Sequence, residues 1–401
     1  MQMGNLKNLE SKYIINTYNR NADLTPLLVK GEGSWVWDEQ GRKYLDFLSG
    51  LAVNVVGHCH PEVVRAIGEQ AARLIHTSNL YYSEPQIELA RVLVENSLPG
   101  GKVFFANSGA EANEAAIKLA RKKDPGRYKI VTAYNSFHGR TMATLSATGQ
   151  PKYHQAFQPI VEGFSYAHFN DLGSFEELID NQTAAVLIEP IQGEGGVHVA
   201  EESFLKGLRE LCDRSGILLI YDEVQCGMGR TGKLWSFENW GVSPDLFTVA
   251  KGLGGGLPIG ALIVSDPYTA LLQPGEHAST FGGNQVVCSA ARAVFKILKE
   301  DGFMEQVQKK GLMVKEALKK AVSDYPNLVK DYRGVGLIYA LELSEPAAKQ
   351  IQGRCTEEGL LINAIGDNIL RFLPPLTISE SELKDGLKIL DSLLTEHSTK
   401  N

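Results

Sequence analysis

The run Ile217-Leu218-Leu219-Ile220-Tyr221-Asp222-Glu223-Val224-Gln225, followed by Leu246-Phe247-Thr248-Val249-Ala250-Lys251, decides how this chain folds. Each begins as an apolar stretch without alternation, the pattern of a strand buried on both faces. Each then stops at charge: Asp222 and Glu223 after the first, Lys251 after the second, just ahead of the glycine-rich Gly252–Gly256. A carboxylate at one strand end and an amine at the next suit a cofactor that needs both. Lys251 would hold its carbonyl carbon covalently, and Asp222 would keep a pyridine nitrogen protonated so that the ring accepts electrons. That pairing points to pyridoxal 5'-phosphate. Strand-terminal Asp and Lys are also common solvated residues, so the pair needs support from other parts of the same site.

Working outward, strands and helices alternate. Lys102–Ala106, Lys129–Ala133, Ala184–Ile188 and Ile259–Val264 read as further strands, with helices at Ala110–Lys122 and Glu202–Arg214. Such alternation predicts an α/β fold, a mostly parallel sheet covered by helices, with ligands at the strand carboxyl ends. The tail differs. Helix Met304–Ser323, strand Val335–Leu343, helix Pro346–Glu358, strands around Leu360–Asn363 and Ile369–Leu373, and helix Ser379–Thr395 predict a smaller α+β domain. Gly33–Trp37 and Lys43–Phe47 predict a hairpin around Asp38–Gly41, and His397–Asn401 a frayed polar tail. The expected division is 1–50 as part of the small domain, 51–305 as the large domain and 306–401 as the rest of the small one.

Bulk properties narrow the function. At 401 residues the chain is long enough for two cores. A net charge of −7, with no basic block, argues against a nucleic-acid partner. No stretch approaches a membrane span, and the polar Met1–Lys12 has no apolar signal core, so a cytoplasmic location is expected. Five dispersed cysteines form no C-x-x-C pair. His58-Cys59-His60 has metal-ligating residue types, but neighbours in sequence rarely converge on one ion and no second cluster completes a sphere; no metal is expected.

Three loops carry chemistry. Asn107-Ser108-Gly109-Ala110-Glu111-Ala112-Asn113 joins a strand to a helix; Ser108 and Glu111 match a capping box, and Gly109 with the helix amides also suits a phosphate. Ser136-Phe137-His138-Gly139-Arg140-Thr141 comes after a strand. Phe137 could stack on a planar ring, and Arg140 has the planar fork that grips a carboxylate. Gly227-Met228-Gly229-Arg230-Thr231-Gly232 spells a dinucleotide fingerprint, raising a nicotinamide-dependent dehydrogenase as the rival. The residues after Gly232 lack the helix periodicity of a βαβ unit, and Asp245 comes too soon for a ribose-binding acid. A cofactor-binding regulator, a third class, would need a DNA-binding extension or a lost Lys251, and neither is seen.

With Gly193-Glu194-Gly195-Gly196, Ser279-Thr280-Phe281-Gly282-Gly283-Asn284 and Leu370-Arg371-Phe372, these motifs resemble the class III aminotransferases of the ornithine and acetylornithine type. The resemblance spans Tyr18 to about Leu394. Asn54, Gly57–Pro61 and His76–Tyr82 lean it toward the acetylornithine branch. It implies a type I aminotransferase fold, with a mostly parallel seven-stranded sheet in the large domain, and a homodimer with shared sites. It further implies Lys251 as covalent anchor and proton-moving base, Asp222 on the pyridine nitrogen, and Phe137 and Val224 on the two ring faces. Glu223 and Gln225 belong to the implied cofactor set, Gln225 near the phenolic oxygen; Gly109, Ala110 and the partner's Thr280 would hold the phosphate. Arg140 would take a substrate carboxylate with the partner's Ser279 nearby, and Glu194 and Arg371 would gate between two substrates. The implied reaction moves the terminal amino group of N2-acetyl-L-ornithine to 2-oxoglutarate, giving N-acetyl-L-glutamate 5-semialdehyde and L-glutamate in arginine biosynthesis. Ornithine, succinylornithine, succinyldiaminopimelate and 4-aminobutyrate are the alternative donors, since pocket volume decides among them.

Overall fold

The unbroken apolar runs form the middle of a single sheet. In the computed structural model, which describes residues 3–18, 20 and 25–400, seven strands lie side by side. Their order is Lys102–Ala106, Gly260–Val264, Leu246–Val249, Leu218–Asp222, Thr183–Ile188, Lys129–Ala133 and Phe164–Ala167. Every residue of the four strands at 183–188, 218–222, 246–249 and 260–264 is buried, which is why they carry no polar alternation. Gly260–Val264 runs antiparallel to both neighbours, while the other pairings are parallel. Its leading end therefore reaches the same sheet edge at which the parallel strands stop.

Helix Gly109–Lys123 lies across this sheet, burying Ala112, Ala115, Ala116, Ile117, Leu119 and Ala120. The small side chains let the helix axis come close to the strands. Ser108 caps it, its Oγ accepting from the Glu111 amide at 3.2 Å, and Glu111 Oε2 accepts from the Asn107 amide at 2.5 Å. The Ser108 half of the expected capping box is thus made, while Glu111 reaches back one residue past the cap, and together they place the start of the helix at the sheet edge. Helix Glu202–Ser215 ends at Gly216, whose φ of 65° closes the helix in the left-handed region.

The tail forms an antiparallel sheet in the order Val329–Val335, Ile338–Leu343, Ile369–Phe372, Asn363–Ile365. The sequence predicts a single strand at Val335–Leu343; instead a hairpin turns at Gly336, whose φ is 58°. Helices Phe303–Asp324 and Glu380–Lys400 belong to the same part of the chain. The expected frayed tail is the last turn of that second helix, with Asn401 outside the described residues. The expected amino-terminal hairpin pairs Trp35–Asp38 with Lys43–Asp46, and Leu28–Glu32 adds a third strand. Leu360–Leu361 joins Lys43–Asp46 in parallel, so the beginning of the chain pairs with its end. Met1 and Gln2, at the head of the expected polar start, also lie outside the described residues.

The rival fingerprint fails on structure as well. Gly227–Gly232 coils through turns into a short 3-10 segment, Ser236–Asn239, and no helix starts there to receive a pyrophosphate. His58, Cys59 and His60 diverge. His58 Nε2 meets Asp46 Oδ2 at 2.7 Å, His60 Nδ1 accepts from the Glu62 amide, and Cys59 is exposed. Among the described residues no group of three or more metal-ligating side chains comes together, and no helix is long and apolar enough to cross a membrane.

Gly386 tests the packing of the last helix. Alanine in a helix interior normally gains about 1 kcal/mol over glycine, yet a Cβ here would overlap the buried ring of Phe47. Gly386→Ala is expected to reverse the usual sign and destabilise by about 1–3 kcal/mol. Denaturant unfolding monitored by circular dichroism checks it; a stabilised variant would show that Phe47 has room to move.

Candidate active site

The strand ends at the sheet edge surround a cavity of about 460 Å³. Asn107, Ser108, Gly109 and Ala110 come from the first strand and its helix, Phe137 to Arg140 from the loop after Lys129–Ala133, and Glu189 and Glu194 from beyond Thr183–Ile188. Asp222, Val224 and Gln225 belong to the end and exit of the fourth strand in that arrangement, and Lys251 to the exit of the third. Residues far apart in sequence meet because the parallel strands end together.

Lys251 opens a 3-10 turn at φ 42°, a left-handed value that is costly for a residue with a Cβ and concentrates at functional sites. Burial pushes its amine below the ordinary lysine range, and Arg371 adds to that, while Glu194, Asp222 and Glu189 pull it back up. Asp222, 3% exposed, accepts from Asn113 Nδ2 at 2.7 Å and from the Val224 amide at 3.0 Å. His138 Nδ1 lies 2.9 Å from the same carboxylate. Asn113 is itself fixed, donating to the His138 carbonyl at 2.8 Å and accepting from Thr248 Oγ1 at 2.7 Å. The carboxylate is thus held in one orientation by groups from three segments.

Glu194 and Arg371 stand together. Arg371 Nη1 donates to Glu194 Oε1 at 2.9 Å, Nη2 to Oε2 at 3.3 Å, and Gln225 Nε2 adds a bond to Oε1 at 3.0 Å. Burial opposes the charge on Glu194, but Arg371 and then Lys251 outweigh it and draw the carboxyl down to about 2. Arg371 is 1% exposed and sits behind Glu194. Arg140, by contrast, is exposed at the cavity, stacked over Tyr153 at 3.9 Å, and makes no ion pair among the described residues. A free guanidinium at a cavity wall suits an incoming carboxylate.

One expectation is displaced, and the two residues expected from a partner subunit lie outside this chain's own cavity. The Glu223 side chain does not line the cavity: its carboxyl turns away to accept from Ser236 Oγ and from the Ser236 and Phe237 amides, at 2.5, 2.8 and 3.0 Å. Burial raises it to about 7, and its role is to fix the loop behind Asp222. Thr280 is exposed and outside this chain's cavity. Ser279 also stays outside it, its Oγ accepting from Asn107 Nδ2 at 3.1 Å. Sequence reading missed Asn113 and Glu189 and left His138 unassigned. A buried Asn on an otherwise apolar helix face was the available signal for Asn113. For Glu189, only its place at a strand end hinted at a role. Its Oε2 accepts from the Phe137 amide at 2.9 Å, and burial, then the nearby Asp222, raise its carboxyl well above the usual range.

The donor set fits a phosphorylated pyridine aldehyde: a desolvated amine, an acceptor carboxylate, aromatic and branched side chains, and the amides of a long helix start in one cavity. An α/β fold with this site at the strand ends defines a pyridoxal-phosphate type of enzyme. Residues 17–394 match the model of the class III aminotransferase family, and the chain belongs to that family, whose members depend on pyridoxal phosphate. It is 52% identical to an acetylornithine aminotransferase of Caldanaerobacter subterraneus, over 96% of this chain and 98% of the relative. Identity with that of Methanocaldococcus jannaschii is 48%, covering 99% of each. Among solved structures, the ornithine aminotransferase from Toxoplasma gondii superposes with a TM-score of 0.95 at 31% identity, covering 100% and 97%. The acetylornithine aminotransferase from Elizabethkingia anophelis gives 0.88 at 35% identity, covering 98% and 99%.

The electrostatics of Lys251 can be measured without turnover. In the cofactor-free protein, trapping of Lys251 by a small aldehyde and borohydride, with peptide mass then read across pH, should give a midpoint below the ordinary 10.5. Glu194→Gln removes an anion that raises Lys251, so the midpoint should fall further. A midpoint at or above 10.5, or an upward shift in the variant, contradicts the desolvated amine.

Proposed function

We propose that this protein transfers the terminal amino group of N2-acetyl-L-ornithine to 2-oxoglutarate, forming N-acetyl-L-glutamate 5-semialdehyde and L-glutamate, a step of arginine biosynthesis. The Glu194–Arg371 pair beside Lys251 carries the reading. The donor reacts at a side-chain carbon and brings no carboxylate next to the reacting centre, whereas glutamate and 2-oxoglutarate do. An unpaired arginine there would favour dicarboxylates and let the donor bind backwards. Glu194 neutralises Arg371 while the donor is bound. When the keto acid enters, Glu194 swings away and Arg371 takes its α-carboxylate, with Arg140 gripping the distal one. The acetylornithine relatives, at nearly full length, support the donor assignment.

Bound pyridoxal phosphate supplies an electron-withdrawing ring and a carbon that carries the amino group between substrates. Lys251 is placed to hold it and, once released, to move a proton between the substrate carbon and the cofactor carbon. Asp222, kept in place by Asn113 and His138, would meet the pyridine nitrogen. Phe137 and Val224 would flank the ring, Gln225 lie near its phenolic oxygen, and the Gly109 and Ala110 amides meet its phosphate. Thr280 and Ser279 belong to the neighbouring site of a homodimer in this reading. Their loop is bonded to Asn79, whose side chain donates to the Ser279 and Gly282 carbonyls. Leu80, Tyr81, Tyr82 and Phe281 are exposed beside them, an apolar surface of the kind that marks an interface. The same reading assigns residues 51–305 to the large domain, 1–50 and 306–401 to the small one, and the enzyme to the cytoplasm.

Single-turnover cofactor absorbance, with N-acetylornithine, ornithine, succinylornithine and 4-aminobutyrate each as donor, tests the function. N-acetylornithine should react fastest, and Glu194→Ala should slow it while speeding glutamate. Equal slowing of both half-reactions sinks the gate, and a faster rate with another donor sinks the substrate. Sharing of sites is tested by mixing inactive Lys251→Ala chains with Thr280-disrupted ones. Activity should return in the heterodimers, because one site then has both halves intact; heterodimers that form and stay dead exclude a shared site.

A further inference from the structure

Glu194 can gate Arg371 only if the loop that carries it holds its place when the two side chains part. That loop is the tip of a short hairpin, Ile191–Gln192 against His198–Val199, closed by a bond from the Val197 amide to the Gln192 carbonyl at 2.9 Å. Val197 is fully buried at φ 60°, an uncommon state for a β-branched residue, so the surroundings impose the loop's shape.

Two arginines of the carboxyl-terminal sheet hold it, one at each end. Arg371 Nη1 donates to the Gly193 carbonyl at 2.9 Å, and Arg333 Nε donates to the Gly196 carbonyl at 2.7 Å. Their spacing comes from the sheet. Arg333 pairs with Ala340 and Ala340 with Arg371, so the three form one row across neighbouring strands. Directly opposed residues share a face, and two strand spacings set the arginines about 10 Å apart. Arg333 is oriented in turn by Glu342, Nη1 donating to Oε2 at 2.6 Å. Its Nη2 is buried without a partner beneath Gly196, where a Cβ would come within 3.1 Å of it and 2.8 Å of Ile369.

The two grips differ in duty. Arg371 shares Nη1 among the Gly193 carbonyl, Glu194 and Gln225, so a carboxylate that captures Arg371 competes with its hold on the loop. Arg333 does not line that cavity, and its bond to Gly196 involves neither Glu194 nor Arg371. We propose that Arg333 is a positioning residue for substrate selection, anchoring the Gly193–Val197 loop so that Glu194 alone moves and returns to Arg371 after each dicarboxylate leaves. This rests on the gate proposed above.

The test compares holoenzyme carrying Arg333→Met, Arg333→Lys, Glu194→Ala or the Met/Ala double change. The first readout is the ratio of single-turnover rates with N-acetylornithine and with glutamate. The second is calorimetric affinity for glutarate, an unreactive dicarboxylate. Arg333→Met should shift the ratio toward glutamate by about tenfold or more and tighten glutarate binding, as Glu194→Ala does. Arg333→Lys, which keeps one donor, should fall between it and the parent. The double variant should match Glu194→Ala, because the two residues act through one contact. If Glu194→Ala moves both readouts while both Arg333 variants leave them unchanged, or slow the two half-reactions equally, the gate stands and Arg333 is only structural. If Glu194→Ala also leaves the ratio unchanged, the gate falls and the role of Arg333 falls with it.

Discussion

A buried carboxylate is costly unless donors meet it, and the placing of donors around Asp222 is the constraint on which this molecule depends. Asn113 comes from helix Gly109–Lys123, His138 from a loop two strands away, and the Val224 amide from the strand's own exit. Each needs its element in register with the others. Thr248, on the neighbouring strand, fixes Asn113 by donating to its Oδ1. The sheet, the helix across it and the loop after Lys129–Ala133 are therefore bound to one another through the site. Losing one donor would leave polar groups buried and unmatched, a cost of about 1–3 kcal/mol each.

Much of this was legible because buried parallel strands announce themselves. Lys102–Ala106, Lys129–Ala133 and Leu246–Val249 have the predicted bounds, and Asp222, Lys251, Gly109, Phe137 and Arg140 lie at one cavity as their strand-end positions implied. Helices Pro61–Arg73, Glu84–Glu95 and Gln285–Leu298 were not assigned, nor was the edge strand Phe164–Ala167. The strand has only four residues and is not fully buried, so its pattern is weak. Glu223 shows another limit. Adjacent residues on a strand point to opposite faces, so Asp222 and Glu223 could not both address one cavity. The alternation rule holds that answer, but the motif invites reading the two acids as a unit. The partners of Asp222 are beyond such reading, since Asn113 and His138 meet it only through the crossing of separate elements.

Glu189 and Glu194 show how this scaffold divides labour between like residues. Both lie on the chain leaving Thr183–Ile188, and both face the same cavity. Glu189 is sealed at the strand end near Asp222, where burial first and the neighbouring anion second keep its carboxyl protonated well above the usual range. Glu194 is carried out on the loop to Arg371, which with Lys251 overcomes burial and keeps it ionised down to about 2. Two acids shifted in opposite directions result from a few residues of displacement.

The consequence is electrostatic. Glu194, Asp222 and Glu189 all pull the Lys251 amine upward, and burial outweighs them. Burial governs the lysine, whose amine is depressed below its ordinary range, and of the groups facing it Glu194 pulls it back up most strongly while Arg371 opposes that pull. Proton transfer needs an amine that can both release and recover a proton near neutrality. The Glu189 carboxyl, raised above its usual range by burial and by Asp222, accepts the Phe137 amide at Oε2. It supports the aromatic wall of the cavity. The Glu194–Arg371 pair serves the site differently, as a nearly neutral unit closed by two hydrogen bonds beside the lysine.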